Sequence, residues 1–390
     1  MAIPRFVINK CIWIRSGISD RQYIFRSIRD ALIERGLTVL TLNGPKDHDG
    51  MERIRKAVWN SDAHIMLDVM MPAELKALYP VFKDRKHFSM GLVDWWASVY
   101  WFTKNADYLT FRNYNGIAIR RRLAKFANNR RPPLLSLPQA AVPYELASAS
   151  LRLPALAAAP FLEMLKARQR QAENILPDRM LYFPFTIAAE HVSLTTEARR
   201  FDFCNVSSTR GYWILRDPHA SAWLNFADLY HDRARITNLI SQISDRKNPG
   251  YRLYDVRRGG WLNWESYCQI VRQSGYAICT GGLHQTSVAK YTEFACLGTP
   301  LFGEELPFEY PWLKDCLFPV DTLSVTREKL EPQLREALSL QPKLRENCLN
   351  VRNSLLQLYN PQRVLDLLQE QADGKPIPPG YLKREVFDGA

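Results

Sequence analysis

The stretch from Ser274 to Glu304 constrains the fold more than any other part of the chain. Tyr276 to Cys279 is a short apolar run of strand formers, Thr280 to His284 is a glycine-bearing turn, Ser287 to Leu297 has helical spacing, and Thr299 to Phe302 is strand again. A strand, a loop, a helix and a strand follow one another. Ser287 caps the first turn of the expected helix, so backbone N–H groups and the positive dipole end face the loop, where an anion such as a diphosphate would be held. Val288, Tyr291, Phe294 and Ala295 fall on one face, while Lys290 and Glu293 fall off it. The spacing aims a cation and a carboxylate away from the core.

Lys290-Tyr-Thr-Glu293-Phe-Ala-Cys-Leu-Gly298-Thr-Pro300 resembles the helix-and-turn signature in the second domain of GT-B glycosyltransferases, especially retaining, nucleotide-sugar-using members and their CgeB-like relatives. With supporting patterns the resemblance covers roughly Tyr182 to Leu358. It implies an α/β protein of the GT-B fold, two Rossmann-like domains with parallel sheets facing across a cleft. It also implies that Glu293 accepts hydrogen bonds from the donor's ribose hydroxyls and that Lys290 lies near the donor. Retaining members often carry a second glutamate eight residues earlier, and here that position is the neutral Gln285, a departure that bears on the stereochemical outcome. Gln285, Thr286 and Ser287 are donor-binding candidates where loop meets helix. His284 either orients the transferred sugar or is a neutral histidine satisfied by backbone. A small-residue helix that simply packs on a parallel sheet fits the same residues.

At 390 residues and 45.1 kDa the chain exceeds the usual size of one hydrophobic core, so about two domains are expected. Its 46% hydrophobic and 24% charged residues exclude a disordered chain. No stretch approaches the ~20 apolar residues of a membrane-spanning helix, and Met-Ala-Ile-Pro-Arg lacks the layout of a signal peptide, so a cytoplasmic protein is expected. The seven cysteines are scattered singly, which argues for reduced thiols and against a zinc site or a disulfide framework. The net charge of +12 implies an acidic partner, and a nucleotide-sugar, an anionic membrane surface and nucleic acid all satisfy it.

Along the chain, Arg5 to Asn9 reads as the first strand and Cys11 to Ile18 as a loop holding Arg15, Ser16 and Gly17. Ser19-x-x-Gln22 is a capping box for a helix to Gly36, and Leu37 to Leu42 is the next strand, which opens a βαβ series. A helix at Met51 to Asn60, a strand at His64 to Val69, a helix at Ala73 to Asp84 and a strand at Phe88 to Val93 continue it. Asp94 stands just past that strand. The resemblance makes it a base or an acceptor-orienting acid, and it equally serves as a helix N-cap. Trp95, Trp96, Tyr100, Trp101 and Phe102 precede Arg120-Arg-Arg122, Lys125, Arg130 and Arg131. That combination suits an anionic membrane interface, a track of stacked bases, or a core beside a solvated helix face.

Leu134 to Leu137 reads as a strand and Pro160 to about Ile175 as a helix. Tyr182-Phe-Pro-Phe-Thr-Ile187 resembles the element that crosses between GT-B domains. The resulting division is an acceptor-binding domain at 1–180, a nucleotide-sugar-binding domain at 181–345, helices at 346–372 that return to the first domain, and a poorly packed tail at 373–390. Phe201 to Val206 begins the second series, and by the resemblance its following loop makes Thr209 and Arg210 phosphate candidates, although such residues are common in ordinary loops. A helix at Asp232 to Ser244 and a strand at Tyr251 to Val256 lead to the basic loop holding Arg258, another donor candidate. The helix opened by Trp264 resembles the one that precedes the signature in CgeB-like enzymes, and helices after Thr326 and from Pro342 to Tyr359 close the series.

The chain shows no Walker loop, dinucleotide loop, nucleophile elbow or H-E-x-x-H helix, so NTPase, redox and hydrolase readings lack their signatures. The resemblance implies sugar transfer from a nucleotide-sugar co-substrate to a glycan, glycolipid or other acceptor hydroxyl, with neither bound metal nor bound cofactor. No nucleic-acid partner is expected in that reading. The rival readings are a nucleotide-sugar epimerase of the same fold and a basic nucleic-acid-binding protein.

Overall fold

The computed structural model describes residues 7–17, 23–85, 87–92, 102, 105–111, 180–194, 198–207, 231–245, 250–256, 262–280, 289–305, 310–322 and 325–381. They divide into two compact units, one holding the described residues up to Phe111, those through Ala188 and those from Gln357, the other holding Ala189–Leu356. Each is built on one parallel sheet.

The first sheet contains β1 (Ile12–Ser16), β2 (Thr38–Leu42), β3 (Ile65–Asp68), β4 (Phe88–Leu92), β5 (Leu109–Phe111) and β6 (Met180–Tyr182), in the order β2-β1-β3-β4-β5-β6. Every pairing is parallel. All residues of β1 and β3 are buried, as expected of strands covered on both faces, which read as apolar runs rather than alternating ones. Helices α1 (Tyr23–Glu34), α2 (His48–Trp59) and α3 (Pro72–Phe82) connect the strands. Asp47 caps α2 by accepting from the Gly50 N–H at 2.9 Å, and Pro72 sits where a helix start tolerates the missing N–H.

The expected first strand at Arg5 to Asn9 is corrected. Ile8–Lys10 is a 3-10 turn, and the strand lies in the segment that reads as a loop. Arg15 disguises it: this fully buried residue holds its Nε 3.3 Å from Asp68 of β3 and donates to the Phe25 carbonyl at 2.7 Å. β5 was not expected. It closes over a cluster in which Phe82, Phe88 and Phe102 meet at 5.6 to 5.9 Å, so Phe102, alone of its aromatic group among the described residues, is core.

The second sheet contains β7 (Phe201–Asn205), β8 (Leu253–Asp255), β9 (Ser274–Cys279), β10 (Leu301–Gly303) and β11 (Leu317–Pro319), in the order β11-β10-β9-β7-β8, again all parallel. Its middle is aromatic. Phe203 and Tyr276 stack at 5.7 Å, and Phe302 and Phe318 stack at 5.6 Å. The helices α4 (His231–Ser244), α5 (Trp264–Arg272), α6 (Lys290–Cys296), α7 (Leu313–Cys316) and α8 (Arg327–Leu358) complete this series. β11 and α7 were not expected. The two expected closing helices are one, since α8 runs through Pro332 and Pro342. An interior proline costs roughly 3 kcal/mol, and burial of Leu330, Leu334, Ala337, Cys348 and Leu355 offsets it.

The last helix, α9 (Pro361–Ala372), belongs to the first unit. Val364, Leu365 and Leu368 pack with Trp13, Ile28, Leu32, Leu181 and Phe183. The Gln371 amide accepts from the Tyr182 N–H at 2.8 Å and donates to the Tyr182 carbonyl at 2.6 Å, which completes the exposed side of the edge strand β6. In the expected tail, residues 373–380 are exposed or half-buried, and Tyr381 is buried and donates its hydroxyl to the Leu358 carbonyl. All seven cysteines are buried free thiols, and burial pushes those of Cys11, Cys204, Cys268 and Cys296 up to about 12.

Candidate functional site

Strand order in the second sheet reverses between β7 and β9. Open α/β sheets bind ligands outside the carboxyl ends of the strands at such a reversal. Here those ends present Asn205 and Ser207 after β7 and Thr280 after β9, all buried. The Asn205 carboxamide donates to Asp255 at 3.4 Å and accepts from the Ser207 N–H at 3.2 Å. Arg233 of α4, 3% exposed, donates to the Thr280 carbonyl at 3.1 Å. The hydroxyls of Ser207 and Thr280 are buried and meet no hydrogen-bond partner among the described residues, so two polar groups at this edge can take a ligand or an ordered water.

α6 leads away from the same edge. It ends in a nested pair of hydrogen bonds, Thr299 N–H to the Phe294 carbonyl and Gly298 N–H to the Ala295 carbonyl, each 3.0 Å. That closure needs a left-handed residue, and Gly298 supplies it with φ of 70°. Thr299 then bonds the Val271 carbonyl of α5 at 2.9 Å, and the Pro300 carbonyl accepts from Ala277 at 2.9 Å to open β10. Arg352 donates at 2.9 Å to the Cys296 carbonyl, a cation at the negative end of the helix. The Gly-Thr-Pro turn is thus a fixed joint between α5, α6 and two strands.

The described helix runs from Lys290, with Ala289 at the N-cap position and no side-chain cap, and the expected cap Ser287 lies outside the described residues. Tyr291, Phe294 and Ala295 are buried, as their spacing predicts. Glu293 lies off that apolar face, as its spacing predicts, and is nevertheless 2% exposed. The neighbouring α5 covers it. The Tyr267 hydroxyl donates to its Oε2 at 2.5 Å, and the Lys290 ammonium donates to the same oxygen at 3.1 Å. Oε1 meets no donor among the described residues. Lys290 Nζ also lies 4.0 Å from the centre of the Tyr267 ring, which adds a cation–π attraction. Tyr267 stacks on Trp264 at 4.8 Å, and the Trp264 indole N–H donates to the His191 carbonyl at 2.8 Å.

Lys290 and Glu293 are therefore brought together. Asp94, Thr209, Arg210, Arg258, His284, Gln285, Thr286 and Ser287 lie outside the described residues, as does the arginine-rich run after Phe102. Sequence reasoning missed Tyr267, Asn205, Ser207, Arg233 and Thr280. The placement of Tyr267 one turn into a helix just before the signature strand was the one signal for it, and nothing in the local pattern marked the rest. Among the described residues, no group of three or more His, Cys, Asp and Glu side chains is placed to hold a metal ion, and no helix is long and apolar enough to cross a membrane.

Neither a protein-family model nor a curated protein matches the chain. Among solved structures, it is similar to sucrose-phosphate synthase from Thermosynechococcus elongatus, at 12% identity and a TM-score of 0.51 over 94% of this chain and 98% of that one. It is also similar to a glycosyltransferase from Rickettsia africae, at 8% identity and a TM-score of 0.46 over 93% and 98%. A third is Anabaena HepE in complex with UDP, at 10% identity and a TM-score of 0.44 over 94% and 99%. The first of these bears on fold alone. Two parallel-sheet α/β units in this order make the chain a GT-B fold protein.

Proposed function

We propose that the chain is a glycosyltransferase that moves a sugar from a nucleotide-sugar donor to an acceptor hydroxyl. The observation that carries this reading is the buried Glu293 carboxylate in the first turn of the helix that follows β9, with the Lys290 ammonium 3.1 Å from one oxygen and no described donor on the other. A carboxylate so held accepts from the hydroxyls of a ribose, and a cation beside it balances a diphosphate. The acceptor oxygen bonds to the anomeric carbon as the bond from that carbon to the diphosphate oxygen breaks. The diphosphate leaves with the electron pair, and the hydroxyl proton passes to a base. Stabilising the departing diphosphate is then the main electrostatic task.

In this reading Thr209, Arg210, Arg258 and the Ser287 helix start join Lys290 at the diphosphate, and Gln285 and Thr286 line the donor. His284 orients the transferred sugar, and Asp94 serves the acceptor as base. Neither a bound metal nor a cofactor takes part. The second domain takes the donor and the first a glycan or lipid-linked acceptor. The charge of +12 supports a cytoplasmic protein that works at the inner, anionic face of a membrane.

Titration calorimetry with nucleoside diphosphates tests the donor role. Glu293→Ala is expected to weaken binding by about tenfold or more, the worth of a hydrogen bond to a charged group. Unchanged affinity removes Glu293 from the site. Donor turnover without any acceptor makes the chain an epimerase instead.

A further inference from the structure

Glu293 is held on one side only. Both of its described partners, Tyr267 and Lys290, converge on Oε2. Of the two, Tyr267 is the rigid one. Its ring is 5% exposed and stacks on Trp264 at 22° between planes and on Phe294 at 25°. Its helix α5 is capped by Asn263, which accepts from the Ser266 N–H at 2.8 Å. Lys290, by contrast, is a flexible side chain 28% exposed, and the face of the Tyr267 ring lies 4.0 Å from its ammonium. A glutamate carboxyl turns freely about its last torsion unless an oxygen is pinned.

Resting on the nucleotide-sugar reading above, we propose that Tyr267 is a positioning residue that pins Glu293 Oε2, fixes the plane of the carboxylate, and leaves Oε1 as the atom that reads the ribose hydroxyls. The phenol does not touch the ligand. Its loss leaves the carboxylate charge in place and removes its orientation, so the effect falls on discrimination between ribose and deoxyribose rather than on phosphate binding. A residue that merely supported the fold would not change that ratio.

The test is calorimetry with UDP, GDP, ADP and CDP, each against its 2′,3′-dideoxy counterpart, on the full chain and on Tyr267→Phe. This substitution deletes one oxygen and keeps both ring stacks, and melting without ligand verifies that it folds. Wild type is expected to favour the ribose form by about tenfold or more. In Tyr267→Phe the ratio is expected to fall to about threefold or less, with affinity for the dideoxy form unchanged. An unchanged ratio in the variant overturns the role of Tyr267. A wild-type ratio near one, with a nucleoside diphosphate still bound, overturns the assignment of Oε1. Failure of wild type to bind any of the four removes the nucleotide-sugar reading itself.

Discussion

Glu74 in the first unit and Glu293 in the second are both buried carboxylates at the carboxyl edge of a parallel sheet, and they are held in opposite ways. Glu74 has both oxygens occupied. Oε1 accepts from the Ser16 hydroxyl at 2.8 Å and the Gly44 N–H at 3.1 Å, and Oε2 accepts from the Met71 N–H at 2.9 Å. Those donors stand at the ends of β1, β2 and β3, so one carboxylate ties three connections together. Glu293 meets only side chains, and both reach the same oxygen. Neither burial nor position at the edge separates a scaffold from a receiver of ligand. The occupancy of each oxygen does.

The largest effect should come from cutting the tie. Glu74→Ala removes an acceptor shared by three donors and empties a buried position, so a loss of roughly 3 kcal/mol or more is expected in chemical denaturation. Glu293→Ala should cost less, about 1–3 kcal/mol, because it deprives one buried donor, the Tyr267 hydroxyl, while the part-exposed Lys290 turns to water. Equal losses at the two positions break the comparison.

A smaller effect sharpens it from the cation's side. Lys290→Met should lower nucleoside diphosphate affinity by about tenfold with a smaller effect on the melting temperature than Glu293→Ala has, since the Tyr267 hydroxyl still holds the carboxylate. Unchanged affinity would confine Lys290 to holding Glu293.

Much of this architecture was legible because parallel strands announce themselves as short apolar runs between helical spacings, and because Gly298-Thr-Pro300 permits little besides a helix end followed by a strand. The errors share one cause, interactions that arrive from distant sequence. Arg15 breaks the apolar run of β1 and is buried only because Asp68 faces it from β3. The three-residue strands β5 and β11 are too short to carry a period, and their neighbours define them. Spacing on α6 placed Glu293 off the apolar face correctly but carried no information about Tyr267, which α5 brings over it. Val69, just past β3, adopts φ of 53°, a strained choice for a β-branched residue that only the surrounding first-unit core can hold.

The smallest effect is a slope. Burial pushes the Glu74 carboxyl above its ordinary range, although the Met71 and Gly44 N–H groups and the Ser16 hydroxyl all favour its charged form. The folded protein therefore keeps this proton to higher pH than the unfolded chain does. Its contribution to stability is fully present below the unfolded pKa and is lost as pH rises through the folded one. The change is bounded by about 1.4 kcal/mol per pH unit for a single group. Urea denaturation of wild type and Glu74→Gln from pH 4 upward separates this term. The amide adds a constant offset by misplacing a donor against Met71, whereas the titration adds a difference that grows in one direction. Wild type should lose stability relative to the variant as pH climbs through that window. A constant difference would mean that the three donors just offset burial, and a wild type that gains stability with pH would mean that they outweigh it and hold Glu74 in its charged form.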